Sequence, residues 1–294
     1  VNGTFLHTRQ FLGYHAGRFE DKSALLLESG EVMGVFPAAL SPGDPTLVVS
    51  HPGATYGGVV HQGRLSGTRM IEAVDVLRSY YAAMGCRKLL YKLVPYIHAQ
   101  NCAQDDSYAL FRHGAIRVRC DLSCAIDLAG PRSPSARRQR GLKKALRSVT
   151  LSGDIMLLDE LWEVIGQNLS RKHGTGPVHR ADELKLLHGF FPGEIFIRCA
   201  LVEGKVEAGV VFFNSPTTWH AQYIASSETG HGISALDAVF DSAIAEARRA
   251  GARYFDFGIS NEDEGRSLND GLYRFKSEFG GGGLVHEFYE LDLS

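Results

Sequence analysis

Three pairs of landmarks recur along this chain at nearly one spacing. Gly85 and Gly251 each end a long stretch with an apolar stripe, and each stands two residues before an arginine, Arg87 or Arg253. Gly114 and Gly280 each end a shorter helical stretch, and Asp127-Leu128 and Asp292-Leu293 each close a last extended run. The elements between them repeat in order: hairpin, strand, glycine-bearing loop, long helix, strand, short helix, strand. Such self-similarity predicts an internal duplication of two α/β domains with mixed sheets. At 294 residues the chain has room for two ordinary cores. We place the first domain at 1–129, a basic linker helix at 130–149 and the second domain at 150–294.

The most regular part is 218–259. WHAQYI (219–224) reads as a strand, and a polar turn follows over 225–232. From Ile233 the apolar positions Ile233, Leu236, Phe240, Ile244 and Ala247 recur every three or four residues, as on the buried face of a helix. Gly251 stops that helix and RYFDFGI (253–259) is the next strand. A glycine turn that opens a helix directs free backbone N–H groups at one spot, where a phosphate or pyrophosphate can sit. In the first repeat the hairpin turns at 28–31, and the second repeats it at 203–205. The loop HPGATYGGVVHQGRLSG (51–67) carries five glycines, and loops of that length are commonly functional. Helices are expected over 70–84, 105–113, 157–172 and 267–279, with a closing strand at 284–293.

Composition excludes several classes. Hydrophobic residues make up 44% and charged residues 22% of the chain, as in ordinary globular proteins. No run approaches the roughly 18 apolar residues of a membrane span, and the N-terminal residues lack a signal-peptide pattern. Five cysteines without a CxxC pair read as free thiols in a reducing cytoplasm. Net charge is −2, yet the stretch 132–147 holds seven basic residues and no acid. It is either a solvated helix or the contact surface for an anionic partner. No GxSxG, Walker, HExxH or paired CxxC motif is present. GHGISA (230–235) matches the dinucleotide pattern GxGxxA, but a polar stretch separates it from its strand and no second mononucleotide half follows.

Taken together, SHPGATYGG (50–58), RRQRGLKKA (137–145), RKHGTGPVH (171–179), QYIASS (222–227) and FDFGIS with LNDGLYRFKSEFG (255–280) resemble the FemAB-related acyltransferases, a double-GNAT arrangement of the Fem type. The resemblance implies tandem duplicated GNAT-like domains and amide-forming transfer from acyl-CoA or aminoacyl-tRNA. The implied acceptor is an amino sugar, a cell-surface polysaccharide precursor or a peptidoglycan precursor. A non-catalytic module holding a nucleotide-sugar or RNA is the reading from another class.

In the acyl-CoA loop that the family implies, the corresponding residues here are SETGHG (227–232), with serine first and Glu228 beside it. Ser227, Gly230, His231, Gly232 and Tyr223 are the expected donor contacts, together with Arg138, Arg140 and Lys143 of the basic segment, which is also the expected tRNA surface. Transfer to an amine needs a base and groups that stabilise an oxyanion. His220, Tyr223 and Asp256 are the residues around the expected notch between the two strands. On strict alternation His220 and Tyr223 face opposite ways, so both cannot face the notch from an unbroken strand. Asp256 lies between Phe255 and Phe257, and burial of a carboxyl raises its pKa toward that of a useful base. The same acid could instead only fix the next loop. The resemblance makes Lys276 a contact for a phosphate or the oxyanion. His179 is expected as a second base, and His173 as part of the substrate wall. No third ligand stands at a spacing that would make these two histidines a metal site. His51 and Tyr56 of the first repeat are expected at the acceptor.

Overall fold

A computed structural model describes residues 1–15, 17–173 and 179–294, with 171–173 described by backbone alone. In chain order the elements are α1 (Arg9–Gly13), β1 (Ala24–Glu28), β2 (Glu31–Phe36), β3 (Ala39–Ser41), β4 (Asp44–Val49), β5 (Val60–His61), α2 (Thr68–Ala83), β6 (Lys88–Lys92), α3 (Asp105–Arg112) and β7 (Ile116–Asp127). Then come α4 (Ala136–Ala145), β8 (Thr150–Ser152), α5 (Leu158–His173), α6 (Ala181–Phe190), β9 (Ile195–Val202), β10 (Lys205–Asn214) and β11 (Thr218–Ser226). The chain ends with α7 (Glu228–Ile233), α8 (Ala235–Arg249), β12 (Tyr254–Ile259), β13 (Asn261–Glu262), β14 (Ser267–Leu268), α9 (Asp270–Ser277) and β15 (Gly282–Asp292).

The chain divides into two compact units, neither continuous in sequence. Unit 1 holds 1–122, 261–268 and 285–294, and unit 2 holds 123–260 and 269–284. In unit 1 the strands run β3-β4-β6-β15, with β4 and β6 parallel and β15 antiparallel to β6. A smaller sheet β1-β2-β5 begins with the hairpin expected at 28–31. In unit 2 the order is β7-β12-β11-β10-β9-β8, with β11 and β12 parallel. Each unit therefore contains one parallel strand pair joined through a long helix, α2 in unit 1 and α8 in unit 2. The duplicated α/β architecture with mixed sheets is what the repeated landmarks predict. The four landmark glycines, 85, 114, 251 and 280, all have positive φ, which explains why glycine marks these helix ends.

Each unit has its own core. Val74, Leu77 and Tyr81 of α2 pack with Phe36, Leu89 and Tyr91 in unit 1. In unit 2, Leu236, Val239, Phe240 and Ile244 of α8 pack with Phe212, Trp219, Ala221, Phe255 and Phe257. The stripe read from the sequence is thus the buried face of α8, and it fixes one face of β10, β11 and β12 against that helix. The other face of β10 and β11 meets α5, whose Leu161 and Ile165 are buried, and α6 packs on β9 and α5 with Leu184 and Leu187 buried.

One boundary differs from expectation. The segment 228–233 is the helical turn α7, so helical structure starts five residues before Ile233. Ser227 caps it by accepting a hydrogen bond from the Gly230 N–H, and Glu228 stands in its first turn, where an acid is favoured. Ser234, with φ of 61°, breaks the helix before α8 begins.

Candidate active site

The parallel pair β11 and β12 stays hydrogen-bonded over three residue pairs only, ending at His220 with Asp256. Beyond this pair the strands diverge, while β11 continues to Ser226 and β12 to Ile259. This is the expected notch. At its root Asp256 is fully buried and accepts hydrogen bonds from three groups of unit 2. They are His220 Nδ1 at 2.7 Å, Ser123 Oγ at 2.5 Å and the Gly258 N–H at 3.1 Å. The carboxylate therefore has no direct path to a substrate amine. It orients His220, whose ring is only partly buried.

β11 is not an unbroken strand. Its register against β10 shifts between Val211 and Phe212, where Tyr223 pairs with Val211 and Ala221 with Phe212, so Gln222 is an extra residue. A bulge of this kind re-aims the side chains that follow it. His220 and Tyr223 consequently lie on the same face, opposite the one on which Trp219 and Ala221 pack against α8. Strict alternation placed them on opposite faces, and the single inserted residue reverses that.

Tyr223 and His179 meet on this face. The Tyr223 hydroxyl lies 2.5 Å from His179 Nδ1, and the Trp162 ring stands edge-on to Tyr223 at 5.0 Å. Burial pushes the Tyr223 hydroxyl up to about 12, with His179 pulling the other way. His179 is thus tied to Tyr223 and stands apart from the His220–Asp256 pair in the hydrogen-bond pattern. Lys276 of α9 is buried and donates to the carbonyls of Gly258 at 2.9 Å and Ile259 at 2.5 Å. It fastens the end of β12 where that strand leaves β11. Burial lowers the Lys276 ammonium to about 8, and Asp256 opposes the shift.

The expected donor contacts separate. In α7 the Gly230 N–H is taken by Ser227, whose hydroxyl in turn donates to Glu207. Glu207 is buried and is passed over where β10 slips by one residue against β9. A Cβ on Gly230 would overlap the Glu207 carbonyl and the Ser226 hydroxyl, so this glycine serves close packing of α7 on β10. His231 and Gly232 are exposed, and the Gly232 carbonyl accepts from Lys144 at 2.5 Å. Glu228 is exposed too, so the acid beside this segment is Glu207, which the sequence alone does not indicate.

Arg138 faces inward. Its guanidinium pairs with Asp237 at 3.0 Å and Glu278 at 3.3 Å, and lies over the Phe275 and Phe279 rings. It joins α4 to α8 and α9. Arg140 and Lys143, with Arg137, are exposed on the outer side of α4. In unit 1 His51 and Tyr56 are both buried. The Tyr56 hydroxyl lies 3.3 Å from Thr4 Oγ1, and its ring lies 4.6 Å from that of His98. The side chain of His173 lies outside the described residues. Among the described residues, no group of three or more His, Cys, Asp or Glu is placed to hold a metal ion, and no helix is long and apolar enough to cross a membrane.

A family model described as an acetyltransferase (GNAT) domain matches residues 133–276, which include the diverging strands, α7, α8 and Lys276. The fold extends the likeness to the full chain. FemX is similar over 99% of this chain and 92% of its own, with a TM-score of 0.70 at 12% identity. L-PGS from Bacillus licheniformis covers 100% and 88%, with a TM-score of 0.64 at 13% identity. A tandem GNAT protein from the clavulanic acid biosynthesis pathway covers 95% and 84%, with a TM-score of 0.55 at 11% identity. No curated protein sequence matches the chain. The chain thus shares the fold of FemX and of tandem GNAT proteins, and its residues 133–276 match a GNAT acetyltransferase domain.

Proposed function

We propose that this chain is an acyltransferase that moves an acyl group from acyl-CoA to a primary amine by direct attack at the notch between β11 and β12. The acceptor is an amino sugar or another precursor of a cell-surface polysaccharide, and the reaction takes place in the cytoplasm. The observation that carries this reading is the His220–Asp256–Ser123 chain at the point of strand divergence. With Nδ1–H held by Asp256, the basic position of the neutral imidazole is Nε2. There it takes the proton that the attacking amine loses as its nitrogen bonds to the acyl carbon; the carbon–sulfur bond then breaks, and coenzyme A leaves as a thiolate that takes the proton from the imidazolium. Asp256 holds the tautomer and steadies the imidazolium that forms. Lys276 keeps the end of β12 in place and supplies a positive charge beside the developing oxyanion. Tyr223, held by His179, lines the same face.

One observation favours aminoacyl-tRNA as the donor instead. The Gly230 N–H is already satisfied and Glu207 stands beside it, while α4 presents Arg137, Arg140 and Lys143 to solvent. Coenzyme A at ~100 times its Kd should stabilise the protein by about 2.7 kcal/mol if it binds the folded state alone. No rise in melting temperature, with salt-sensitive tRNA binding that weakens in Arg140→Gln, would replace acyl-CoA by the aminoacyl donor.

The chemistry is tested by amine-dependent consumption of the donor. His220→Gln should lower kcat by roughly 10²–10⁴-fold, the usual contribution of a positioned base, with donor binding retained. Turnover within a fewfold of the parent in both His220→Gln and Asp256→Asn would refute the assignment.

A further inference from the structure

We infer that unit 1 carries a binding site for an anionic group, a carboxylate or a phosphate, in the cavity at His51. This inference stands independently of the acyl-transfer reading. The cavity measures about 250 Å3 and is lined by Arg9, Leu12, His15, Phe19, Asp21 and His51 among others. A single water occupies about 30 Å3 of liquid, so there is room for a charged group and several further atoms.

The local backbone is built to place His51 there. Its φ is 56°, in the left-handed region that non-glycine residues seldom adopt. The turn is held by the His51 N–H donating to Val49 O at 2.6 Å and by the Ala54 N–H donating to His51 O at 3.2 Å. Buried Lys92 fastens the same loop from behind by donating to the carbonyls of Ala54 and Pro52. Gly53 leaves the space that the His15 ring fills, since a Cβ at that position would overlap the imidazole. The His15 and His51 rings lie 5.5 Å apart, with Phe19 edge-on to both. The glycines of SHPGATYGG thus let the loop close around side chains of its own unit.

His51 is 5% exposed, and its Nδ1 has no hydrogen-bond partner among the described residues. A buried polar atom left in this state is costly, and a ligand would satisfy it. The charges facing His51 select the sign of that ligand. His15, Lys92 and Arg9 all act against its protonation, and Asp21 favours it. Asp21 is itself engaged by Arg9 at 2.5 Å and by the Ser23 hydroxyl and N–H. Burial, aided by these groups, lowers the imidazole to about 4. An anion entering the cavity meets the positive charge of Arg9 at the rim. It also accepts a hydrogen bond from Nδ1–H, which becomes charge-assisted when the ring takes up a proton.

The test follows the histidine ring signals of the full chain by NMR, with His51 assigned by comparison with His51→Gln. Inorganic phosphate and acetate are titrated separately against sodium chloride of equal ionic strength. A saturable change at His51, with its titration midpoint raised by about one pH unit on saturation, is the expected result. Saturation by acetate alone identifies a carboxylate ligand, and saturation by phosphate alone a phosphate ligand. Arg9→Gln, an exposed change at the rim that leaves the core intact, should weaken the Kd about tenfold. If neither anion moves His51 more than chloride does, or if Arg9→Gln leaves a saturable Kd unchanged, the inference is overturned.

Discussion

Arg138→Met separates an internal ion pair from a ligand contact. Arg138 is buried between the carboxylates of Asp237 and Glu278 and covers two phenylalanine rings. Methionine keeps the apolar stem over the rings and removes the charge. Asp237 then remains buried with its main partner gone. Loss of one member of a buried pair costs about 3–5 kcal/mol, whereas removal of both members is often neutral. At about 2–4 °C per kcal/mol for a unit of this size, the melting temperature should fall by roughly 6–20 °C. Arg138→Met with Asp237→Asn should recover most of that loss.

The pH dependence gives an independent check. Burial raises the Asp237 carboxyl to about 6, with Arg138 opposing the rise. Its folded value therefore exceeds the unfolded value of ~3.9, so folding favours the protonated form. Its contribution falls as pH rises through the interval from about 4 to 6. Without Arg138 the interval extends upward, so the single variant should lose stability into the neutral range while the double variant does not. Urea melts between pH 4 and 8 measure this directly. A single variant within 1 kcal/mol of the parent throughout, but impaired in donor binding, would show that Arg138 serves a ligand after all.

Gly230→Ala should destabilise unit 2 by about 1–3 kcal/mol, because its Cβ would enter space held by Glu207 and Ser226. An unchanged denaturation midpoint would mean that α7 stands farther from β10 than described. For Lys276, whose ammonium burial lowers to about 8, donor turnover should decline as pH rises through 8. Lys276→Met should lower kcat and remove that limb, and a limb that persists in the variant would assign it to another group.

Much of the framework was legible because its signals are local. The stripe on α8, the turns at 28–31 and 203–205, and the positive-φ glycines 85, 114, 251 and 280 each depend on residues near in sequence. The site was legible by residue type more than by role. Asp256 and Lys276 do come together at the end of β12, but Asp256 is turned toward Ser123 and His220. Two facts decide that arrangement, the parallel register of His220 with Asp256 and the bulge at Gln222. Neither has a local signature, since register is settled by pairing between distant strands. The basic run 137–144 likewise hides its division into inward Arg138 and outward Arg140 and Lys143, which helical spacing alone makes plausible but packing fixes.

The closing strands of both repeats reach into the unit formed mainly by the other repeat. The last residues of β7 pair with β12 in unit 2, and β15 pairs with β6 in unit 1. A cut in 128–135 would leave each fragment short of the strand that completes its sheet, and each would keep a strand with no sheet of its own. The repeats can accordingly be counted separately in the sequence, but the compact units do not coincide with them. Removing either repeat would take from the other unit residues that pair in its sheet.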